Sequence, residues 1–430
     1  MEPLYEKACD LVATAQGHED EKLTEAVSIL TDLVLRHETE AAQSKSDSVI
    51  KMKEKCLDEL VGALVKKRDA NGLRTLLGEL RGLFQEIPKA KTAKIVRGII
   101  EGIDKIPNST DILVQVCQEQ AAWATSEKRT FLRQRIDIKL SSLYYSTKRY
   151  KDALDLLSTL ISEVKKLDDK LLLVEIHVLE SKIHQALRNL PKAKAALVAA
   201  RTAANAVYVP PSLQADMDAQ SGILHGEEKD FKTAYSYFYE AFEQLSSLDD
   251  PRSIRALKYM LLSKIMAGDV SDVGMIISSK AGLKYAGSEV DALKAVAKAY
   301  ESRSLADFQN VLQSYQAELQ DDPVVHSHLK SLYDALMEQN LMRIIEPYSR
   351  VDVAHVASKI NLPVEDVEAK LSQMILDKKF YGTLDQGNQG TLEIYDEDAK
   401  DDLFPSALST IDNMSKVVDS LFTRSMKIVS

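Results

Sequence analysis

The chain has 430 residues, more than one hydrophobic core ordinarily organises, so it either divides into several domains or stacks as an elongated array. A hydrophobic content of 45% and a charged content of 28%, with only 16 Gly and 11 Pro, exclude long disordered or collagen-like stretches. With 65 acids against 55 basic residues, the net charge of −10 works against binding to phosphate backbones or anionic lipid and favours protein partners.

The first residues, MEPLYEKACDLVATAQ, carry acids where a secretory signal needs a basic segment followed by an apolar one. Cys9, Cys56 and Cys117 lie far apart and form no CxxC pair, which fits free thiols in a reducing compartment. No run approaches the ~18 apolar residues of a membrane span. The expected setting is cytoplasm and nucleus. Ala26 follows Leu23 by three in LTEAVSILTDLV, and residues 64–125 keep helical periodicity. Basic residues gather in this N-terminal third, at Lys51, Lys53 and Lys55, at Lys66, Lys67 and Arg68, and at Lys89, Lys91, Lys94 and Arg97. The last two groups are candidates for docking onto an acidic partner. Solvated helix faces flanked by acids are the competing reading.

From about residue 126 the sequence repeats itself. YYSTKRYKDALDLL, HQALRNLPKAKAAL, HGEEKDFKTAYSYF and SKIMAGDVSDVGMI share one layout, anchored at Tyr150, Leu190, Phe231 and Val270 with a spacing of 40, 41 and 39 residues. Three residues past each anchor stand Ala153, Ala193, Ala234 and Val273. A small side chain at that place lets two antiparallel helices approach closely. SLADFQNVL after Arg303 is a degenerate last copy. The pattern predicts a mainly α fold, a right-handed α-solenoid of TPR-like helix pairs, with an N-terminal helical-repeat region over 1–125 and further helical repeats over 126–345.

The pattern changes after residue 345. SRVDVAHVASKINL predicts a short helix ended by Asn361 and Pro363. VEDVEAKLSQMILDKK predicts a second, with acids in its first turn and lysines in its last, the order a helix dipole favours. FYGTLDQGNQGTLEIYD reads as two strands, 380–384 and 391–395, around a glycine-containing turn. Together these make a winged helix over 346–397. Between Tyr348 and Glu397 five basic residues face nine acids, the wrong sign for a unit that reads nucleic acid. The remaining use of such a wing is its strand edge, with Phe380, Tyr381, Thr383, Leu384, Leu392, Ile394 and Tyr395 as candidate partner contacts.

An acidic linker over 398–405 precedes a final helix over 406–430. Leu408, Ile411, Met414, Val418, Leu421, Phe422 and Ile428 follow three-and-four spacing and form the seam of a bundled helix. Left uncovered, a seam of that length is an aggregation hazard.

Nothing in the chain proposes a reaction. His326, His328, Ser331 and Asp334 echo the His-x-His…Ser-x-x-Asp signature of zinc isopeptidases, but the spacing is too short and the segment has helical periodicity. His177, Glu180 and His184 share one helical stripe and lack a fourth ligand. There is no GxxxxGK[ST] loop and no GxSxG elbow. No catalytic residue, cofactor or metal is expected.

A helical-repeat solenoid ending in a winged helix resembles the PCI-domain family of the proteasome lid, the COP9 signalosome and a translation initiation complex. LDDKLLLVEIHVLESKIH, ALRNLPKAKAALVAARTAAN, SGILHGEEKDFKTAYSYFYEAFE, LKYMLLSKIMAGD, AVAKAYESRSLADF and KLSQMILDKKFYGTLDQG are similar to the family of the lid's non-ATPase regulatory subunit eleven. The resemblance runs over 167–387, and before Asp111 only the general helical character matches. It implies a non-enzymatic scaffold of a hetero-oligomeric complex that serves ubiquitin-dependent degradation. Its implied partners are other PCI lid subunits, the lid deubiquitinase, the ATPase ring and the core-particle α-ring, with no nucleic acid and no membrane. It also implies that winged helices associate side by side, that C-terminal helices gather into a bundle, and that the N-terminal solenoid braces the lid to the ATPase and α rings. The alternatives are the equivalent COP9 signalosome subunit and a winged-helix nucleic-acid-binding protein.

Overall fold

The computed structural model describes residues 24, 26–31, 47–82, 84, 88–285, 287–320, 322–360, 362–385, 390–395 and 403–429. Among these are twenty helices and one three-stranded sheet, a helical solenoid followed by a winged-helix unit. Leu23 of the first repeat-like segment and the hairpin turn 386–389 lie outside the described residues. The chain forms two compact units, one through Leu257 and one from Lys258.

The first unit is a run of antiparallel helices: α1 (Asp47–Lys67), α2 (Ala70–Glu79), α3 (Lys89–Asp104), α4 (Thr110–Ser126), α5 (Thr130–Ser146), α6 (Tyr150–Leu167), α7 (Lys170–Ala186), α8 (Leu190–Ala204), α9 (Pro211–Glu227) and α10 (Phe231–Ser247). α11 (Ser253–Ala267) carries the division between the units. Pairing follows the turns. Arg68, Asn108, Lys148, Arg188, Lys229 and Gly268 each have positive φ and end the first helix of a pair, so the turn recurs every 40, 40, 40, 41 and 39 residues. The recurrence extends two repeats further toward the N-terminus than the sequence pattern showed.

Each turn does two jobs in three residues. In α5–α6 the N–H of Lys148 donates to the Tyr145 carbonyl at 3.1 Å and that of Arg149 to the Tyr144 carbonyl at 2.8 Å, the paired bonds that close a helix C-terminus around a left-handed residue. Arg188 and Asn189 repeat this on Gln185 and His184, and Lys229 and Asp230 on Gly226 and His225. The residue after the left-handed one is already the N-cap of the next helix. Asp69, Asn189 and Asp230 accept a backbone N–H through their side chains there. Lysine or arginine fills most left-handed positions, and a cation beside a helix C-terminus offsets part of the backbone cost.

Packing fixes the other end of the joint. Tyr150, Leu190, Phe231 and Val270 are the first residues of their helices and half-buried, while Ala153, Ala193, Ala234 and Val273 are fully buried. The corresponding residues of α2 and α4 are Leu73 and Leu113, also fully buried. What recurs is therefore burial rather than smallness, a correction to the sequence reading and the reason the repeat is hidden before residue 126. The apolar core passes across residue 125 without a break, from Leu30 to Ile183. α7 is covered on nearly all sides, with Leu172, Leu173, Val174, Ile176, Val178 and Ile183 buried. The α8–α9 connection departs from the cadence: residues 205–210 lead through Pro210 into Pro211, and Tyr208 stands 82% exposed.

The second unit continues with α12 (Val270–Ser278), α13 (Lys280–Lys284), α14 (Ser288–Glu301), α15 (Leu305–Ser314), α16 (Gln316–Gln320) and α17 (Pro323–Ile345). Arg303 makes the same left-handed turn before α15, where Phe308 takes the buried place three residues past Leu305. Tyr259 donates to Asp322 at 2.6 Å, and Asp322 caps α17 by accepting the Val324 N–H. The winged-helix unit follows as β1 (Arg350–Asp352), α18 (Val353–Ile360), α19 (Val364–Leu376), β2 (Tyr381–Asp385) and β3 (Thr391–Tyr395), and then α20 (Leu403–Val429).

Two substitutions test the joint, read by the fluorescence of Trp123, the only tryptophan of the chain. Lys148→Gly relieves the left-handed strain and is expected to raise the unfolding free energy, read by urea titration, by up to about 1 kcal/mol. Ala153→Leu overpacks its site and is expected to lower stability by about 1–3 kcal/mol.

Candidate interaction surfaces

The winged unit is assembled around one buried row. β3 is the central strand, pairing antiparallel with β1 on one side and β2 on the other. The register sets Val351 opposite Leu392 and Leu384 opposite the same Leu392, which is fully buried. Val353, Val356, Val367, Leu371 and Met374 of α18 and α19 supply the rest of this core. The sequence reading missed β1, three residues with only one apolar side chain and therefore no alternation to detect.

That strand changes the candidate edge. The wing was expected to offer both of its strands, yet β1 occupies the far side of β3, so Leu392 and Ile394 lie inside the sheet and Leu392 is sealed in the core. Of the two wing strands, only β2 lies at an edge of the sheet among the described residues, the opposite edge being β1. Tyr381 stands 44% exposed there, Thr383 is exposed, and Phe380 and Leu384 are half-buried. Tyr395 is 50% exposed on the outer face, its hydroxyl 3.0 Å from Thr383 Oγ1 and donating to Glu393 at 3.2 Å. Gly382 has to be glycine, since a Cβ there would lie 2.6 Å from the Glu393 carbonyl oxygen. Gly390 holds the left-handed φ of +72° that returns the chain into β3.

Glu338 of α17 fixes the unit in place. Its carboxylate sits 3.0 Å from Lys370 Nζ of α19, a side chain only 9% exposed, and it also pairs with Lys379. Burial pushes the Glu338 pKa up, but the hydrogen bonds from Lys379 and Lys370 outweigh it and hold the carboxyl below its usual range.

α20 presents a different surface. It begins at Leu403, three residues before the expected start, because Pro405 is tolerated in a first turn where its missing N–H has no partner to lose. Every described side chain from Leu403 to Met426 is exposed. Leu408 is 65% exposed, and Ile411, Met414, Val418, Leu421 and Phe422 stand in the same range. The Ile428 side chain lies outside the described residues. Phe404, Ile411 and Val418 form one column at seven-residue spacing, with Ala407, Met414 and Leu421 in a second beside it. The two columns, with Leu408 and Phe422 in a third, cover roughly half the helix circumference. That is wider than the single seam of a two-stranded coiled coil.

The N-terminal basic residues do not form one patch. α1 and α3 run side by side in the same direction, since Lys91 pairs with Glu54 at 3.0 Å while Gly102 approaches Val61 and Val65. Lys89, Lys91, Lys94 and Arg97 therefore gather at the start of α3, and Lys66, Lys67 and Arg68 at its far end, roughly 15 Å away at 1.5 Å per residue. Lys66, Arg68, Lys89, Lys94 and Arg97 are exposed, and Lys67 and Lys91 half-buried.

The residues that echoed metal chemistry have other occupations. His177 Nδ1 lies 2.8 Å from Glu180 on α7, an i, i+3 contact on a single helix. His326, His328, Ser331 and Asp334 follow one another along α17, with His326 exposed and the His328 imidazole lowered in pKa by burial. Among the described residues no group of three or more His, Cys, Asp or Glu is placed to hold a metal ion, and no helix is long and apolar enough to cross a membrane.

Comparison with known proteins brings these features together. Residues 9–147 match the 26S proteasome regulatory subunit RPN6 N-terminal domain, residues 312–395 the PCI domain, and residues 400–426 the 26S proteasome subunit RPN6 C-terminal helix domain. The match thus reaches the N-terminal region that sequence reading recognised only as helical. The chain is 58% identical over 387 residues to the 26S proteasome non-ATPase regulatory subunit 11 homolog of Arabidopsis thaliana, covering 90% of this chain and 92% of that protein. It is 48% identical over 378 residues to the 26S proteasome non-ATPase regulatory subunit 11 of Dictyostelium discoideum, covering 88% and 91%. Identity with the 26S proteasome regulatory subunit RPN6 of Saccharomyces cerevisiae is 43% over 424 residues, 97% of each chain.

Replacing Glu338 by Gln is expected to loosen the winged unit, costing roughly 3 kcal/mol by leaving Lys370 buried without a counter-charge. Because the folded Glu338 pKa is depressed, the stability it supplies is complete above the ordinary carboxylate pKa and is lost as pH falls through the folded value. Acid titration of the wild-type and Glu338→Gln chains, followed by hydrogen exchange in α19, checks this: the variant's protection should vary less with acid pH.

Proposed function

The chain belongs to the RPN6, or non-ATPase regulatory subunit 11, family of 26S proteasome regulatory subunits, and from that premise we propose that it is a structural subunit of the lid of the regulatory particle. Its work is to join other chains, and it carries no reaction of its own. α20 is the element inserted among partner helices, through Leu408, Ile411, Met414, Val418, Leu421, Phe422 and Ile428. The observation that carries this reading is the full exposure of that helix, because about ten large apolar side chains left in water are stable only when other chains cover them. An apolar arc of this width needs more than one neighbouring helix, which fits a bundle.

The free edge of β2, with Tyr381 and Thr383 along it, supports pairing with a neighbouring PCI subunit by strand addition. The lid deubiquitinase joins through the same assembly. The N-terminal basic residues favour contact with acidic surfaces of the ATPase ring or the core-particle α-ring. Their division between two ends of α3 fits two separate contacts better than one. The setting is cytoplasm and nucleus, where ubiquitin-dependent degradation takes place. An equivalent role in the COP9 signalosome is disfavoured by the names of the relatives, and nucleic-acid reading by the acidic winged unit.

Changing Leu408, Val418 and Phe422 together to Asp is expected to leave a folded chain that fails to enter the lid, as read by co-purification and native mass spectrometry. Normal entry would overturn the assignment of α20. Changing Lys89, Lys94 and Arg97 to Glu is expected instead to spare lid formation and to release the core particle from purified complexes at lower salt. Unaltered retention would leave these residues as solvated helix faces.

A further inference from the structure

The apolar residues of α20 recur in sevens, with three places filled in each repeat. Phe404, Ile411 and Val418 hold the first place, Ala407, Met414 and Leu421 the second, and Leu408 and Phe422 the third, with Ser415 between the last two. Two places in seven make the seam of a two-stranded coil, whereas three make the face that a helix turns into a four-helix bundle. Ser409, Lys416 and Thr423 line the opposite side, where Lys416 pairs with Asp412 of the same helix at 2.6 Å.

The area suffices for a stable assembly. Ten large apolar side chains between Leu403 and Met426 stand 58% to 75% exposed. At roughly 100 Å² each they offer on the order of 1,000 Å² per helix, more than the ~800 Å² that each partner gives to a standard interface. Charge and volume then set the direction of packing. Asp396, Glu397, Asp398, Asp401 and Asp402 precede the helix in the sequence, and Arg424 and Lys427 stand near its end. Parallel neighbours of the same sequence would bring acid beside acid at one end and gather their Ala407 methyls into one layer, leaving a void. Antiparallel neighbours bring acids beside bases, oppose their helix dipoles and, with Met414 at the centre, set Ala407 level with Leu421.

We infer that, outside any larger complex, four copies of this chain associate through α20 as an antiparallel four-helix bundle. The arc that a lid helix bundle would cover is thereby covered by the chain's own copies. Self-association and entry into the lid use one face and exclude each other, so the copies must separate before the subunit is incorporated. The inference stands on the helix itself and does not require the chain to be a lid subunit.

Sedimentation equilibrium and native mass spectrometry of the purified full chain at micromolar concentration test it. A mass of four chains is expected, and a monomer in the triple Asp variant at Leu408, Val418 and Phe422. Arg424→Glu with Lys427→Glu should weaken the association roughly tenfold, as should Asp401→Lys with Asp402→Lys, and the four changes together should restore it. A parallel order predicts no such loss and no rescue. A wild-type monomer or dimer would overturn the inference, and charge changes without effect would overturn its antiparallel order. Either failure leaves the lid reading standing, because that reading is tested by co-purification with other subunits.

Discussion

A helix with one apolar face cannot stand in water alone, and the first unit meets that constraint with one joint used again and again. A left-handed residue closes one helix, the next residue caps the following helix, and a buried side chain three positions into that helix locks the two together. Sequence-distant contacts are scarce in such an arrangement, so each pair depends on its neighbours rather than on a central core. The ion pairs obey the same logic. Lys139 with Asp104 and Arg135 with Glu175 bridge helices 35 and 40 residues apart, one repeat to the next.

The periodicity was legible from Tyr150 onward because alanine or valine marks the buried position in four consecutive copies. It was not legible at Ala70 and Thr110, where leucine fills the same place and looks like any other apolar residue of an amphipathic helix. The winged unit was readable from the acids Glu365 and Asp366 in the first turn of α19 and from the glycine turn, whereas Lys378 and Lys379, expected in the last turn of that helix, lie past its end at Leu376. β1 was not, and with it the knowledge that β3 is interior, since a three-residue strand is specified by the partner it meets and hardly by its own composition. Glu338 carried no signal at all. It is one acid among 65, and only the fold brings it against Lys370 and Lys379.

The candidate contact surfaces differ in how they meet solvent, and this separates their tasks. The solenoid helices bury their apolar stripes within the unit and leave charge outside. α20 buries nothing among its described side chains and keeps an apolar arc exposed from Phe404 to Phe422. The β2 edge offers backbone groups, which recognise any strand of suitable register. Its specificity therefore falls to the side chains that flank it, Tyr381 and Thr383 on one row and Leu384 on the other.

The α8–α9 connection has a consequence for how such a chain tolerates changes of length. An inserted or deleted residue inside any helix rotates everything after it by about 100° and turns the next buried side chain outward. The three-residue joints have no slack either, because each of their residues is already committed to a cap. Residues 205–210 interrupt the cadence with a segment that ends in proline outside both neighbouring helices, Tyr208 standing clear of the surface. Within the first unit, that is where a loop could grow or a tag be spliced while the helical register on either side is preserved.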